Sequence, residues 1–198
     1  MVKRERDAAG LYNFLLCGER KFSGKKDDLV PCPLNMISRQ ENVTIRLWFK
    51  TRSSGVILWV MDTRDYKVTV ALYAGADGHL YGQFANGYVK PMASSGLVDD
   101  GQWHYAALMT DGLTQHLYLD GRMEGNLHDS KIIRAAAPRV MIGGGIVPAW
   151  PQAPAGLFLF SGSIADVVVE SRMLAPKELK ERMLEQPGRT CGEVIYHW

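Results

Sequence analysis

The chain has 198 residues, of which 46% are hydrophobic and 22% are charged, and its formal net charge is +2. This length suits one domain with a substantial core, and the near balance of charge argues against a nucleic-acid binder with a basic tail. No segment reaches the roughly 20 apolar residues of a membrane-spanning helix. The apolar patch near the start is too short for a secretory signal, so an exported protein would be represented here by a fragment or mature form.

Residues 1–36 carry clusters of charge with little periodicity, which predicts a lead-in with at most one short strand near Leu11–Leu16. Residues 43–50 alternate between apolar and polar and predict a half-buried strand, whereas the continuous apolar run 56–60 predicts a strand buried on both faces. Residues 68–84 form a predicted hairpin around Ala76-Asp77-Gly78. The stretch from Tyr88 to Val98 is looser.

The central pattern is a second predicted hairpin, residues 102–109 and 114–120, joined by the turn Thr110-Asp111-Gly112. Strand side chains alternate between faces, so Trp103 and Tyr105 share one face while His104 points the other way. Both faces are partly apolar. We therefore expect the hairpin to be covered on both sides, with His104 as a hydrogen-bonded residue.

Beyond Gly121 the chain is irregular as far as Ala137, and a short strand is then predicted at 140–142. Residues 146–156 contain three prolines and predict a loop. Residues 158–170 predict one long or two short strands, a helix begins at Pro176, and residues 194–196 predict a last strand. Roughly ten short strands with one helix indicate an all-β antiparallel sandwich or jelly roll.

Three cysteines, Cys17, Cys32 and Cys191, lie towards the two ends of the chain. Their spacing is not that of metal ligands, so no zinc site is predicted. Two alternatives stay open, namely a disulfide with one cysteine left over, or three reduced thiols in a cytosolic protein. Asn42 begins the triplet Asn42-Val43-Thr44, a glycosylation signal that has meaning only in an exported protein.

Several blocks occur in an order that resembles laminin G-like domains of the concanavalin A-like jelly-roll group. The most specific are DGQWH followed by LDG (residues 100–104 and 119–121) and FSGSIADV (160–167), with VMIGGG (140–145) between them. The resemblance covers about 42–184, so residues 1–198 are predicted to form one such domain with a lead-in (1–36) and a C-terminal tail (185–198). It implies a recognition or adhesion module of a larger extracellular or cell-surface protein.

The chain departs from that family at two places. Laminin and neurexin members usually carry a cysteine after F-x-G, and Ser163 stands there. The rim positions that bind calcium in some members fall near Tyr88 and Ala135, which offer no carboxylate. Asn86 and Asp129 would serve only if the loops shift. No cofactor is therefore predicted, with calcium as the alternative.

Ligand-binding residues are predicted at two places. Arg46, Trp48, Lys50 and Arg52 share one strand face, where cations beside an aromatic ring would grip a sulfated or acidic glycan. Trp150 lies in the proline-rich loop and would join an exposed apolar patch. The alternatives are an ordinary solvated face and a loop that packs back onto the sandwich.

Catalysis is not predicted. Glycoside hydrolases of this broad fold use two carboxylates, and on a strand these would form an alternating acidic set that the chain lacks. Asp166 and Glu170 lie in an apolar strand and are interpreted as turn or solvated residues. The favoured function is a non-enzymatic module that binds a protein or glycan through rim loops. A carbohydrate-active enzyme or its lectin-like accessory domain, and an intracellular protein-interaction domain, are the alternatives.

Overall fold

The computed structural model describes residues 3–7, 10–32 and 41–188, with side chains from Leu16 onward. These residues form fifteen strands, one α-helix and a short 3-10 helix at Lys26–Asp28. In chain order the elements are β1 (Lys3–Asp7), β2 (Gly10–Ser23), β3 (Val30–Cys32), β4 (Val43–Thr51), β5 (Gly55–Asp62), β6 (Val68–Ala74), β7 (His79–Phe84), β8 (Met92–Leu97), β9 (His104–Thr110), β10 (Gln115–Leu119), β11 (Arg122–Leu127), β12 (Pro138–Ile142), β13 (Gly144–Ile146), β14 (Leu157–Leu159), β15 (Ser161–Glu170) and α1 (Pro176–Met183).

The strands form two large sheets and a small ribbon. A seven-stranded sheet has the order β1-β2-β15-β4-β9-β10-β11, and a six-stranded sheet has the order β3-β12-β5-β6-β7-β8. Strands β13 and β14 form a separate two-stranded ribbon. Neighbouring strands run antiparallel throughout, as in β4 with β9 and β5 with β6. The predicted antiparallel sandwich with one short C-terminal helix is confirmed.

The main core lies between the two sheets. Ile45, Leu47 and Phe49 of β4 and Leu58 and Leu72 of the six-stranded sheet are fully buried there. Such alternation on facing strands is what places apolar side chains between packed sheets. Burying these five side chains stabilises the sandwich by about 2 kcal/mol each relative to exposure.

Helix α1 covers the outer face of the seven-stranded sheet. Tyr105, Ala107 and Met109 of β9 pack there against Leu174 and Leu179. Strand β9 is therefore buried on both faces, which confirms that the central hairpin is covered. Strand β4 is also buried on both sides along most of its length, so its predicted half-burial is wrong.

The proline-rich loop packs against the outer face of the six-stranded sheet. Val147 and Trp150 of the loop join Trp59, Tyr73 and Phe158 in a second apolar cluster. The prediction of a loop at 146–156 is confirmed apart from Ile146, which ends β13.

The N-terminal segment contributes more than the sequence predicts. Strand β2 is 14 residues long and lies between β1 and β15 in the seven-stranded sheet, so the expectation of at most one short strand is wrong. Its periodicity is masked by the polar run Gly18-Glu19-Arg20. Strands β8 and β11 likewise fall where the sequence predicted looser or irregular chain.

Asp166 occupies a bulge in β15, with a positive φ of 49°. Its side chain is buried, with 2% exposure, and accepts hydrogen bonds from the backbone amides of Gly18 at 2.9 Å and Gly188 at 2.7 Å. Asp166 is therefore a structural anchor, and its interpretation as a turn or solvated residue is wrong.

The predicted C-terminal strand and Cys191 lie outside the described residues. In the described part of the chain, no helix is long and apolar enough to cross a membrane.

Candidate functional site

Arg46 is buried in the seven-stranded sheet and cannot reach a ligand at the surface. Its Nε donates to Glu170 Oε1 at 2.8 Å, and the two side chains are 3% and 2% exposed. This corrects the prediction of Arg46 as a ligand residue and that of Glu170 as a solvated one. The cause is α1 and the segment before it, which cover this face of the sheet.

Trp48 and Trp150 also pack against other side chains of the protein. Trp48 lies against Tyr105, with ring centroids 5.0 Å apart, and against the helix-covered cluster. Trp150 is 6% exposed and packs edge-on against Tyr73. The predicted exposed patch around Trp150 is therefore absent from the surface, and the alternative of a loop packed back onto the sandwich is the correct one.

Lys50 and Arg52 remain at the surface, at the end of β4. They line a cavity of about 570 Å³ together with Thr51, Ser53, Gly101, Ser161, Gly162 and Ser163, which we call the basic pocket. Its walls come from the β4–β5 turn, the loop before β9 and the start of β15. These three segments meet because Gly162 pairs with Thr51 and the Gly101 amide donates to the Thr51 carbonyl at 2.9 Å.

The basic pocket carries positive charge. Asp100 lies near Arg52: the hydrogen bond from the Gln102 amide is the main cause that lowers the pKa of Asp100, and the charge of Arg52 adds to that lowering. Neither Lys50 nor Arg52 forms an ion pair with any described residue. The Lys50 ammonium lies 5.5 Å from the centre of the Trp103 ring, an arrangement typical of a cation–π contact. Lys21 adds a third cation nearby, since it and Lys50 both lie opposite Ser163 on the strands flanking β15.

The sequence did not identify Trp103, Ser161 and Ser163 as companions of the two cations. Trp103 lies in the loop before β9 whereas Lys50 lies on β4, and Ser163 is brought beside Lys50 only by the pairing of β15 with β4. The motif FSGSIADV, which contains both serines, was the available signal. The motif does not specify the register in which β15 pairs with β4, and no local sequence pattern does.

His104 connects the DGQWH motif to the LDG motif through hydrogen bonds. Its Nδ1 lies 2.8 Å from Asp120 Oδ2 and its Nε2 lies 3.1 Å from Asp100 Oδ1. The hydrogen bond to Asp120 raises the pKa of His104; burial opposes this, and Asp100 adds to the rise. The imidazolium donates to both carboxylates, whereas a neutral ring has only one N–H. The prediction of a hydrogen-bonded hairpin residue is confirmed.

This geometry gives the stability of the protein a defined pH dependence. A histidine whose pKa is raised on folding stabilises the folded state fully below its unfolded pKa, about 6.5, and loses that contribution as the pH rises through the folded value. The exposed residue His128 provides the control. At about pH 6 we expect His104→Gln to lower the free energy of unfolding more than His128→Gln does, and we expect this difference between the variants to become smaller towards about pH 9. Urea unfolding at both pH values measures this. A gap independent of pH would contradict it.

At the opposite end of the sandwich, three loops form a second surface, which we call the loop rim. Its exposed apolar side chains are Tyr88, Val89, Leu113 and Ile133. The loops are tied together, because the Ser130 amide donates to the Leu113 carbonyl at 2.7 Å and the Ile133 amide to the Ala85 carbonyl at 2.6 Å.

The loop rim also contains a polar cavity and an asparagine, Asn86, whose side chain is hydrogen-bonded to other residues of the rim. The cavity, of about 580 Å³, is lined by residues that include Glu41, Asp111, Lys131 and Arg134. Asn86 donates to Ser130 Oγ at 2.6 Å, and its Oδ1 accepts from Gln83 and Tyr88. The described residues contain no group of three or more His, Cys, Asp or Glu side chains that would hold a metal ion.

The predicted glycosylation site and two of the three cysteines predicted as disulfide candidates lie in the described part of the chain. Asn42 is exposed just before β4. Cys32 is buried at the end of β3, where burial raises the pKa of its thiol to about 11. Cys17 lies in β2, one residue from the amide that binds Asp166.

Comparison with known families gives the class of this protein. Residues 24–180 match the Laminin_G_3 model, described as the concanavalin A-like lectin/glucanases superfamily. The chain belongs to this family, and the resemblance to laminin G-like domains is confirmed. None of the curated proteins compared with the chain is a match.

Solved structures place the fold among pentraxins and laminin domains. A heptameric SAP-like pentraxin from Limulus polyphemus aligns with a TM-score of 0.61 at 18% identity, covering 84% of this chain and 81% of the pentraxin. Domains LG4-5 of the mouse laminin alpha1 chain align at 0.59 and 18% identity, covering 81% of this chain and 44% of that one.

A third solved structure, domain 4 of a GH43 extracellular arabinanase from Geobacillus stearothermophilus in complex with arabinotriose, aligns at 0.60 and 14% identity. It covers 91% of this chain and 80% of that one. At these identities the likeness shows the fold, and function must be argued from the site.

Proposed function

We propose that this protein is a non-enzymatic recognition module that acts outside the cell and binds an acidic glycan in the basic pocket. The observation that carries the proposal is the pair Lys50 and Arg52, two cations with no ion-pair partner among the described residues, beside Trp103 and a set of hydroxyl groups. Sulfate and carboxylate groups are the ligands that such cations bind through charge-assisted hydrogen bonds. The Trp103 ring and the Ser161 hydroxyl supply contacts for a neighbouring sugar.

The position of the pocket supports the same proposal. It lies between loops at one end of the sandwich, on strands that the two-sheet core holds rigid, so little ordering is needed on binding. Two acidic side chains border the pocket: Glu19 accepts a hydrogen bond from Ser163 at 2.7 Å, and Asp100 interacts electrostatically with Arg52. The hydrogen bond to Glu19 orients the Ser163 hydroxyl, and neither carboxylate forms an ion pair with Lys50.

Sulfated oligosaccharides and their unsulfated counterparts test this proposal directly. We expect sulfated forms to bind and Lys50→Gln and Arg52→Gln each to weaken that binding about tenfold or more, since each removes a hydrogen bond to a charged group. Lys177→Gln, which removes a side-chain cation that is 90% exposed on α1, is the matched control. Affinity is measured by calorimetry at two salt concentrations. Equal binding of both forms, or unchanged affinity in the two variants, would contradict the proposal.

The loop rim supports a second candidate function, binding of a protein partner. Tyr88 and Leu113 are 79% and 60% exposed on loops that are hydrogen-bonded to one another. Exposed aromatic and aliphatic groups on a fixed frame are typical anchors of protein interfaces. A receptor screen with Tyr88→Ser and Leu113→Ser separates this function from glycan binding, because the basic-pocket variants would leave receptor binding unchanged.

A carbohydrate-active enzyme is the main alternative. The same glycan set, analysed for released products, distinguishes it, since turnover of any oligosaccharide would refute the non-enzymatic proposal. The accessory-domain alternative predicts binding of a neutral polysaccharide without dependence on Lys50 or Arg52.

An extracellular location predicts that Cys17 forms a disulfide with one of the other two cysteines, Cys32 or Cys191. We propose Cys191 as that partner, because Gly188 approaches Glu19 closely and shares Asp166 with Gly18. Non-reducing peptide mapping of protein from an oxidising host is expected to find Cys17 linked to Cys191. Three reduced cysteines would instead favour the intracellular interaction domain.

A further inference from the structure

An apolar groove lies on the outer face of the six-stranded sheet, away from both the basic pocket and the loop rim. Its floor is the row Pro31, Met141 and Trp59, which pair across β3, β12 and β5. Ile146 and Leu157 of the two-stranded ribbon line it from above. We call this cavity, of about 480 Å³, the Trp59 groove. Small-ligand sites in proteins typically have volumes of about 300–1,000 Å³.

The groove is fixed in shape by contacts beneath the ribbon. The Trp59 indole N–H donates to the Ile146 carbonyl at 2.8 Å, which connects the ring to the ribbon. Gly145 lies against this ring so closely that a Cβ there would be 2.5 Å from Trp59 Cγ. The two adjacent glycines of the ribbon thus let its backbone lie directly on the sheet.

One cation lies at the end of this otherwise apolar surface. Arg139 is exposed, lines the groove and forms no ion pair with any described residue. Among the described residues of the lining, it is the only charged side chain. Cys32, which also contributes to the lining, stays uncharged at neutral pH because burial raises the pKa of its thiol to about 11.

We propose that the Trp59 groove binds a small amphipathic monoanion, with the apolar body against Pro31, Met141 and Leu157 beside the largely covered Trp59 ring, and the anionic group at Arg139. The charge complement follows from the single cation, and the size from the volume of the groove. A peptide strand added to the edge strand β3 fits less well, because Pro31 at its centre has no N–H to donate. This site is independent of the proposed glycan function.

Two probes of opposite charge, each built on a ten-carbon chain, test the proposal on the full chain. Decanoate and decyltrimethylammonium are titrated below their micelle concentrations while the indole N–H resonance of Trp59, identified with Trp59→Phe, is followed by NMR. We expect decanoate to shift this resonance saturably and to bind at least about fivefold more tightly than the cation, as one partly exposed ion pair allows.

Variants locate the site and its charge. Arg139→Gln is expected to weaken the binding of decanoate about fivefold and to leave the affinity for decyltrimethylammonium unchanged. Lys177→Gln is expected to leave both affinities unchanged. Leu157→Trp fills the groove and is expected to abolish the shift; if this variant does not fold, Arg139→Gln still decides the matter. Equal affinity for both probes would show a non-specific apolar surface and overturn the proposal. A Trp59 resonance that decanoate does not shift would also overturn the proposal, even if an apolar peptide shifted it.

Discussion

Glu170→Ala is expected to destabilise the protein by about 3–5 kcal/mol, the usual result of removing one partner of a buried ion pair. Arg46 would keep its charge inside the sheet, 3% exposed, with its partner gone. Arg172, whose Nη2 lies 3.5 Å from the other carboxylate oxygen of Glu170, cannot compensate because it is also a cation. Urea unfolding measures the change in the free energy of unfolding.

The double variant Arg46→Met with Glu170→Leu is the informative control. Replacement of both charges by apolar groups of similar volume is expected to recover most of the lost stability, since the cost comes from the unpaired charge. Glu178→Gln tests the neighbouring and more exposed pair with Arg172, where a loss of at most about 1 kcal/mol is expected. A loss below about 1 kcal/mol for Glu170→Ala itself would contradict the buried-pair account.

The second large effect is expected at the glycine of the FSGSIADV motif. Gly162 has a φ of +146°, and a Cβ at this position would collide with the Lys50 carbonyl oxygen. Backbone strain of about 1–3 kcal/mol and overpacking of about 1–3 kcal/mol therefore act together in Gly162→Ala. We expect a loss of roughly 2–6 kcal/mol in thermal or urea unfolding.

Gly156→Ala is the matched control, because nothing lies within 4 Å of its added Cβ. That substitution is expected to change stability by less than about 0.5 kcal/mol. If the two variants unfold alike, the close approach of β15 to β4 at Gly162 is not a constraint on the fold.

The sandwich could be predicted from sequence because its strands alternate or are continuously apolar and are separated by turn residues. The central hairpin shows this best: Tyr105 and Leu117 lie on the faces that the period of two assigned to them. Strand β2 was not predicted, because its polar run is compatible with a strand only through pairing with β15, far along the chain.

The candidate site was only partly predictable for the same reason. The spacing of Arg46, Trp48, Lys50 and Arg52 correctly placed the first three along one strand, whereas Arg52 lies just beyond its end. The spacing carried no information about what covers that strand. The segment after β15 and helix α1 cover the first two and leave the last two open. Coverage by elements distant in sequence is a tertiary property, and no strand periodicity encodes it.

The shared anchoring of Gly18 and Gly188 by Asp166 has a consequence for architecture. Because one carboxylate holds both backbones, strand β2 and the segment after helix α1 are fastened together at one point although they are far apart in the chain. The charge of Asp166 therefore connects the covering helix to the sheet beneath it, and a neutral side chain at this position would loosen both attachments together.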